Sequence, residues 1–362
     1  MTIKQLAKEQ LTKNGLPTNK VEKWHYTNLN KFLAYLVEDN FADLGMSANI
    51  KAWKATNINL KPLSIATNVV ETDVVQQINL AGFTGGASFV LDKNINSIEL
   101  QNTIDAPQHH TGLAIEVEDN IKANIIEKHI VDKGKLASSI THLNLANSSH
   151  INYIILNTTD KPINSLQQFN AMLGVNATLN LFIINMGCNK NLIRQEINIQ
   201  LLGEDANFNL RTINLLSDNS HTDIEMVVEH KTPRTISNEI LRNIALNRAS
   251  GAFQGIIKVD RCAQKTEGKM SCKTLILSDE ASFSAKPELE IFADDVICGH
   301  GATVAPINED LLFYLLSRGI NASVAKSLLI KAFISELIEN SDILELLSDV
   351  VEEWISKFIE EN

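Results

Sequence analysis

From about residue 88 to residue 307, short alternating apolar runs recur between small or polar bends, and this repetition constrains the fold more than any single motif. The runs include residues 124–130, 151–156, 179–184, 193–202, 208–216, 224–228, 255–259, 274–277 and 289–292. Alternation with period two marks strands whose successive side chains face opposite ways. Between the runs stand bends such as Ala146-Asn147-Ser148, Val175-Asn176-Ala177, Glu204-Asp205-Ala206, Arg248-Ala249-Ser250 and Asp279-Glu280-Ala281. Several successive bends fall about 26 to 32 residues apart, in the period range of repeat architectures. Helical periodicity is essentially absent, which argues against alternating strand–helix units. Two folds remain open on pattern alone. One is a parallel β-helix whose coils stack on one another, and the other is a β-sandwich.

Both ends of the chain read differently. Residues 1–75 form a helical cap in which Ile3, Leu6, Ala7 and Leu11 share one face, and Gly15 with Pro17 stops the helix. Trp24 and Tyr26 read as anchors of this cap on the body, and residues 51–62 as a linker or irregular strand region. The repetitive body spans residues 88–305, and residues 306–362 return to helix. There Asn308 caps a helix that opens with Glu309 and Asp310 and closes at Arg318-Gly319. Asn321 caps a second, with Ala325, Leu328, Leu329, Ala332 and Phe333 on one face. A third helix is expected from Ser341, carrying Leu344, Leu347, Val351, Trp354 and Phe358.

Composition excludes several function classes. A chain of 362 residues exceeds one compact core, so several domains or an elongated body are expected. The net charge of -11 argues against nucleic acid or an anionic membrane surface as partner. No apolar run approaches the roughly 20 residues that cross a bilayer. The polar start and four dispersed cysteines (Cys188, Cys262, Cys272, Cys298), none in a C-x-x-C pair, lead us to expect a cytoplasmic protein. No phosphate-binding G-x-x-x-x-G-K-[ST] is present, so no nucleotide is expected on this chain, and G-x-S-x-G is absent too. His109-His110 reads as a surface loop; His142, His150, His221 and His230 are expected to point out or to bond to corners.

Chemistry concentrates in Cys298-Gly299-His300-Gly301. If a strand continues through Gly299, the thiol and the imidazole share one face, a pair suited to iron or zinc. The alternative is a half-buried thiol beside a hydrogen-bonded histidine at a strand-to-helix junction. Asp294-Asp295 raises a rival, a β-helix enzyme acting on acidic polysaccharide. Adjacent strand residues point to opposite faces, however, and neither a secretion signal nor a basic balance supports it.

The run ELEIFADDV, then CGHGAT, LFYLLSRGI and A-x-x-L-L-I-x-A-F, resembles the C-terminal signature of the SufB/SufD family of iron–sulfur cluster assembly proteins, nearer to its SufD branch. Leu16-Pro17-Thr18 followed by Glu22-Lys23-Trp24-His25-Tyr26-Thr27 is similar to that branch as well, with His25 where an arginine is common. The resemblance implies a mainly β fold: a right-handed parallel β-helix flanked by N- and C-terminal helical regions. It implies a non-catalytic scaffold that pairs with a SufB-like subunit, binds a SufC-like ATPase, or forms a homodimer when alone. Cys298 and His300 would then lie at the subunit junction, where an iron–sulfur cluster is held transiently. Leu311, Phe313, Tyr314, Arg318, Leu329 and Phe333 would meet the ATPase. A metal-free structural assembly protein is the remaining alternative.

Overall fold

The computed structural model describes residues 2–38, 41, 44, 53–63, 73–158, 161–338 and 352–353. Its body is a parallel β-helix, so the stacked coil prevails over the sandwich. Helices α1 (Ile3–Asn14), α2 (Asn30–Glu38) and α3 (Val74–Gly82) and short strands β1 (Trp53–Ala55) and β2 (Lys61–Pro62) precede it. The coils are built from β3 (Gly85–Leu91), β4 (Ile95–Ile104), β5 (Gln108–Val117), β6 (Lys122–Val131), β7 (Leu136–Leu145), β8 (His150–Asn157), β9 (Asn164–Leu173) and β10 (Thr178–Gly187). They continue through β11 (Leu192–Leu201), β12 (Asn207–Leu216), β13 (His221–His230), β14 (Ile236–Ala245), β15 (Ser250–Val259), β16 (Thr266–Ile276), β17 (Ser282–Ile291) and β18 (Val296–Pro306). Helices α4 (Glu309–Ser317) and α5 (Ala322–Ile338) follow.

Two nine-stranded sheets result, one ordered β1-β4-β6-β8-β10-β12-β14-β16-β18 and the other β17-β15-β13-β11-β9-β7-β5-β3-β2. Each coil gives one strand to each sheet, and every pairing from β3 to β18 is parallel. The exceptions close the N-terminal end. β1 lies antiparallel on β4 and β2 antiparallel on β3, so the stretch read as a linker or irregular strand region supplies the finishing edge of both sheets.

The corners explain the repeat. Asn120, Ser148, Asn176, Asp205, Arg234 and Lys265 occupy one row of corners with positive φ, and Asn189, Asp218 and Asn247 another. Asparagine and aspartate enter this region more readily than other residues with a Cβ, which accounts for the polar bends of the sequence. Corner amides bond to the next coil, as when Ser148 N donates to Val175 O at 2.8 Å.

Inside, apolar residues such as Leu181, Phe208, Leu210, Phe253 and Ile257 fill the space between the sheets. A second interior column is polar. Asn157 donates to Asn185 (2.8 Å), Asn185 to Asn214 (2.7 Å) and Asn214 to Asn243 (2.6 Å). Each buried amide satisfies its neighbours one coil away, so the ladder favours in-register stacking.

The helices sit at the flanks. α5 lays Ile330, Ile334 and Leu337 on Ile184, Ile213, Leu215 and Ile244 of the first sheet. Its buried face is therefore Ala325-Ile330-Ile334-Leu337, while Leu328 and Ala332, expected on that face, are exposed. The expected helix from Ser341, with Leu344, Leu347, Val351, Trp354 and Phe358, lies outside the described residues. α3 covers β5, which corrects the reading of His109-His110 as a surface loop: both residues are buried. His109 Nε2 shares a hydrogen bond with Asn102 Oδ1 (2.8 Å), and His110 lies so close beneath Gly82 that a Cβ there would meet its ring at 2.1 Å.

Candidate functional site

The site is the C-terminal end of the β-helix. β18 pairs with β16 on one side only and β17 with β15 on one side only, so both finish their sheets with a free edge among the described residues. Apolar side chains crowd this end: Phe292 is 64% exposed and Ile297 63%, with Ile291 and Val304 beside them. An unpaired apolar edge of this kind is a template for another chain. Gly299 and Gly301 lie on the outer side of β18, where a Cβ would meet nothing within 4 Å. They leave that stretch flat and open to a second backbone.

Cys298 and His300 do lie on one strand and one face, as the spacing required. That face is the inner one. In register, Cys298 stands over Gly268 and His300 over Met270, and these stand over Ser237 and Glu239. Met270 belongs to the central core, and Cys298 packs against it. The pair therefore rims the open mouth of the coil, with Cys298 half-buried and His300 exposed. Burial raises the Cys298 thiol above its usual range; a backbone hydrogen bond with Gly268 offsets part of this and the Glu239 carboxyl adds to it. Such a thiol is no activated nucleophile on its own. It becomes a good ligand when a cation displaces its proton. Among the described residues no three His, Cys, Asp or Glu side chains converge to hold a metal. The mouth thus supplies one sulfur and one nitrogen, a set that fits iron but leaves it incompletely coordinated.

Asp294 and Asp295 sit in the exposed turn between β17 and β18 and not on a shared strand face. Cys272 is buried, and burial lifts its thiol to about 12, while Cys262 is exposed on a corner and Cys188 is half-buried. Of the residues expected to meet an ATPase, Phe313 is 72% exposed, and Leu311, Tyr314 and Arg318 are exposed too. The Arg318 guanidinium lies 5.1 Å from the Tyr314 ring. Helix α4 buries no residue of its own, which is unusual for a helix this apolar. Leu329 and Phe333 are only partly accessible, and Phe333 is engaged by Arg242 at 5.6 Å.

A second polar constellation was not foreseen. Arg194 is fully buried under the N-terminal segment, with Asp223 at 2.8 Å, Glu196 at 3.2 Å, Glu225 in contact and the Trp24 ring 4.3 Å away. Lys23 reaches Glu196 and Glu225, each at 3.3 Å. Thr27 donates to Asp223 and shares a 2.8 Å hydrogen bond with His221. His221 is therefore buried by the cap, not pointing out, and Trp24 is the anchor expected of it. Burial, reinforced by Glu196 and opposed by Arg194 and Lys23, pushes Glu225 up to about 7. These groups come from segments nearly two hundred residues apart, so no local signal could assemble them.

The pattern described as "SUF system FeS cluster assembly, SufBD core domain" matches residues 100–333. The chain belongs to the SufBD family. The iron–sulfur cluster assembly protein SufD of Escherichia coli strain K12 is 26% identical over 376 residues, covering 91% of this chain and 86% of that one. The protein of the same description from Plasmodium berghei strain Anka is 24% identical over 252 residues, 68% of this chain and 18% of its own length. An iron–sulfur cluster assembly SufBD family protein of Staphylococcus epidermidis strain ATCC 12228 is 26% identical over 266 residues, 71% and 57% of the two chains. The SufBD match begins within β4 and ends within α5, so it contains the free edges, the Cys298–His300 mouth and the exposed helix α4. No helix among the described residues is long and apolar enough to cross a membrane.

Proposed function

We propose that this chain is a scaffold subunit for building iron–sulfur clusters, with no catalytic turnover of its own. In this reading a SufB-like subunit pairs with the free edges of β17 and β18 and supplies the ligands that Cys298 and His300 lack. Iron and sulfide are cargo at that junction. ATP hydrolysis belongs to a SufC-like ATPase, which docks on Leu311, Phe313, Tyr314 and Arg318 of α4, with Leu329 and Phe333 bordering the surface. Isolated, the same edges would join two copies of this chain. The observation that carries the reading is the coincidence of a sulfur–nitrogen pair with an unpaired apolar sheet edge. A protein that merely ended there would gain by covering that edge. Chemically, two chains that each contribute part of a ligand set can release a cluster when they separate.

The test is His300→Ala in the complex co-expressed with its partners. Iron and sulfide per complex should fall several-fold, and Cys298→Ala should have a similar or weaker effect. Because His300 is exposed, folding stability should change by no more than about 0.5 kcal/mol. Full iron and sulfide in the His300→Ala complex would end the cargo-site reading.

A further inference from the structure

The interior beneath the mouth holds a group that packing does not explain. Glu239 is completely buried, and neither of its carboxyl oxygens makes a hydrogen bond of ordinary geometry among the described residues; the neighbouring Ser237 hydroxyl and its own backbone give it only weak support. Native proteins seldom leave a buried carboxyl unsatisfied, and those that do are often functional. Its position is specific. It faces inward in register between Leu210 and Met270, and Met270 is in register with His300, so Glu239 lies two strands below the imidazole, about 10 Å at ordinary strand spacing. In the next column Gly268 separates Ser237 from Cys298 and contributes no side chain; its Cβ position is 3.4 Å from the Cys298 sulfur. The thiol and the carboxyl thus share a low-dielectric interior with little between them.

Other charges near Glu239 are few. Burial dominates and pushes the carboxyl up to about 8, opposed by hydrogen bonding from the Ser237 side chain and the backbone and more weakly by Arg211 on β12. His230 on β13 bonds to Thr235 (2.8 Å) and Ser237 (3.1 Å), and burial lowers it to about 4, so it is neutral. Met270, between Glu239 and the mouth, carries no charge. Burial thus favours the neutral forms of both Glu239 and His230 in the interior beneath the mouth.

The geometry points to Glu239 as a positioning residue for the cargo cation, a buried counter-charge that ionises when a divalent metal is held by Cys298 and His300. This rests on the cargo-site reading above. The balance is simple. The Cys298 S–H and the Glu239 O–H each release a proton to solvent, a sulfur–metal and a nitrogen–metal bond form, and no electron moves. A dication with one thiolate and a neutral imidazole leaves one positive charge, and the Glu239 carboxylate cancels it. At about 10 Å and an effective dielectric near 20, this attraction is worth on the order of tenfold in affinity. By linkage, the metal must favour loss of the Glu239 proton by the same factor.

The experiment uses the full chain and cobalt(II), a spectroscopic stand-in for iron(II), titrated to millimolar concentration. Thiolate-to-cobalt absorption reports the Cys298 bond, and calorimetry in buffers of different ionisation heat counts the protons released. Near pH 7 wild type should release about half a proton more per bound cobalt than Glu239→Gln, and its advantage in affinity should grow from about twofold near pH 7 to on the order of tenfold above pH 8. Its affinity should rise more steeply between pH 6 and 8. Glu239→Met, which removes the carboxyl without burying an amide, should behave as Glu239→Gln does. A merely structural Glu239 would shift thermal stability in these variants but leave proton count and pH slope alone, and that result would overturn the inference. If wild type itself shows no cobalt–thiolate band that Cys298→Ala abolishes, the inference falls, whereas the cargo-site reading is decided separately by the iron and sulfide content of the His300→Ala complex.

Discussion

The two ends of this β-helix solve the same problem in opposite ways. Any stack of parallel coils exposes unpaired backbone at its first and last turns. At the N-terminal end β1 and β2 turn antiparallel and complete both sheets, and Trp53 is buried with its indole N–H donating to Thr111 Oγ1 at 2.8 Å. The helical cap is then clamped to the outer face of the second sheet by the Arg194 cluster. At the C-terminal end nothing described pairs with β17 or β18, and apolar side chains surround the edge. One end is finished by its own chain. The other presents a thiol, an imidazole and a flat strand with no described strand beyond it.

The contrast can be broken most forcefully at its closed end. Arg194→Ala would leave Asp223 buried without its cation and Glu196 with Lys23 alone, and should cost about 3 to 5 kcal/mol in chemical denaturation, with early loss of Trp24 burial seen by fluorescence. If the cap stayed docked at unchanged stability, its ion cluster would be incidental.

A pH scan sharpens the contrast at the interior of the open end. The folded-state value of Glu239, about 8, exceeds its unfolded value, so its contribution to stability is present in acid and lost as pH rises through about 8. Stability should decline by a few kcal/mol between about pH 5 and pH 8.5, and Glu239→Gln should flatten that slope. An unchanged slope in the variant would mean that the carboxyl is solvated.

The smallest stability effect is expected at the open edge. Ile297→Lys, at an exposed site on β18, should change folding stability by no more than about 0.5 kcal/mol yet abolish pairing with the partner subunit in size-exclusion chromatography. Phe313→Glu on α4 should spare that pairing and remove the ATPase instead. Loss of both partners from either variant would erase the proposed separation of the two surfaces.

Much of this was legible in the sequence, for identifiable reasons. The coils are readable where inward positions are apolar, as with Phe208 and Leu210 on β12, and where corners are Asn or Asp. β14 escaped notice because Ser237 and Glu239 put polar groups on its inner face, which interrupts the alternation. β5 reads as a loop from sequence because Gln108-His109-His110-Thr111 is polar, and only α3 and Asn102 enclose it. Cys298 and His300 were visible because both lie within three residues of one strand. Glu239 and the Arg194 cluster were not, since their meaning comes from stacking register and from contacts between distant segments.

The antiparallel closure by β1 and β2 also sets an order of events during synthesis. The finished end leaves the ribosome first, and each later coil, some 28 to 31 residues long, can add to the edge laid down by the one before. Growth of this kind has a direction, and the growing tip always carries a row of unmet amides and carbonyls. On this view the exposed β17–β18 edge of the mature chain is the last growing tip, left available after translation stops. A partner that docks there repeats, between two chains, the step by which this chain added every coil to itself.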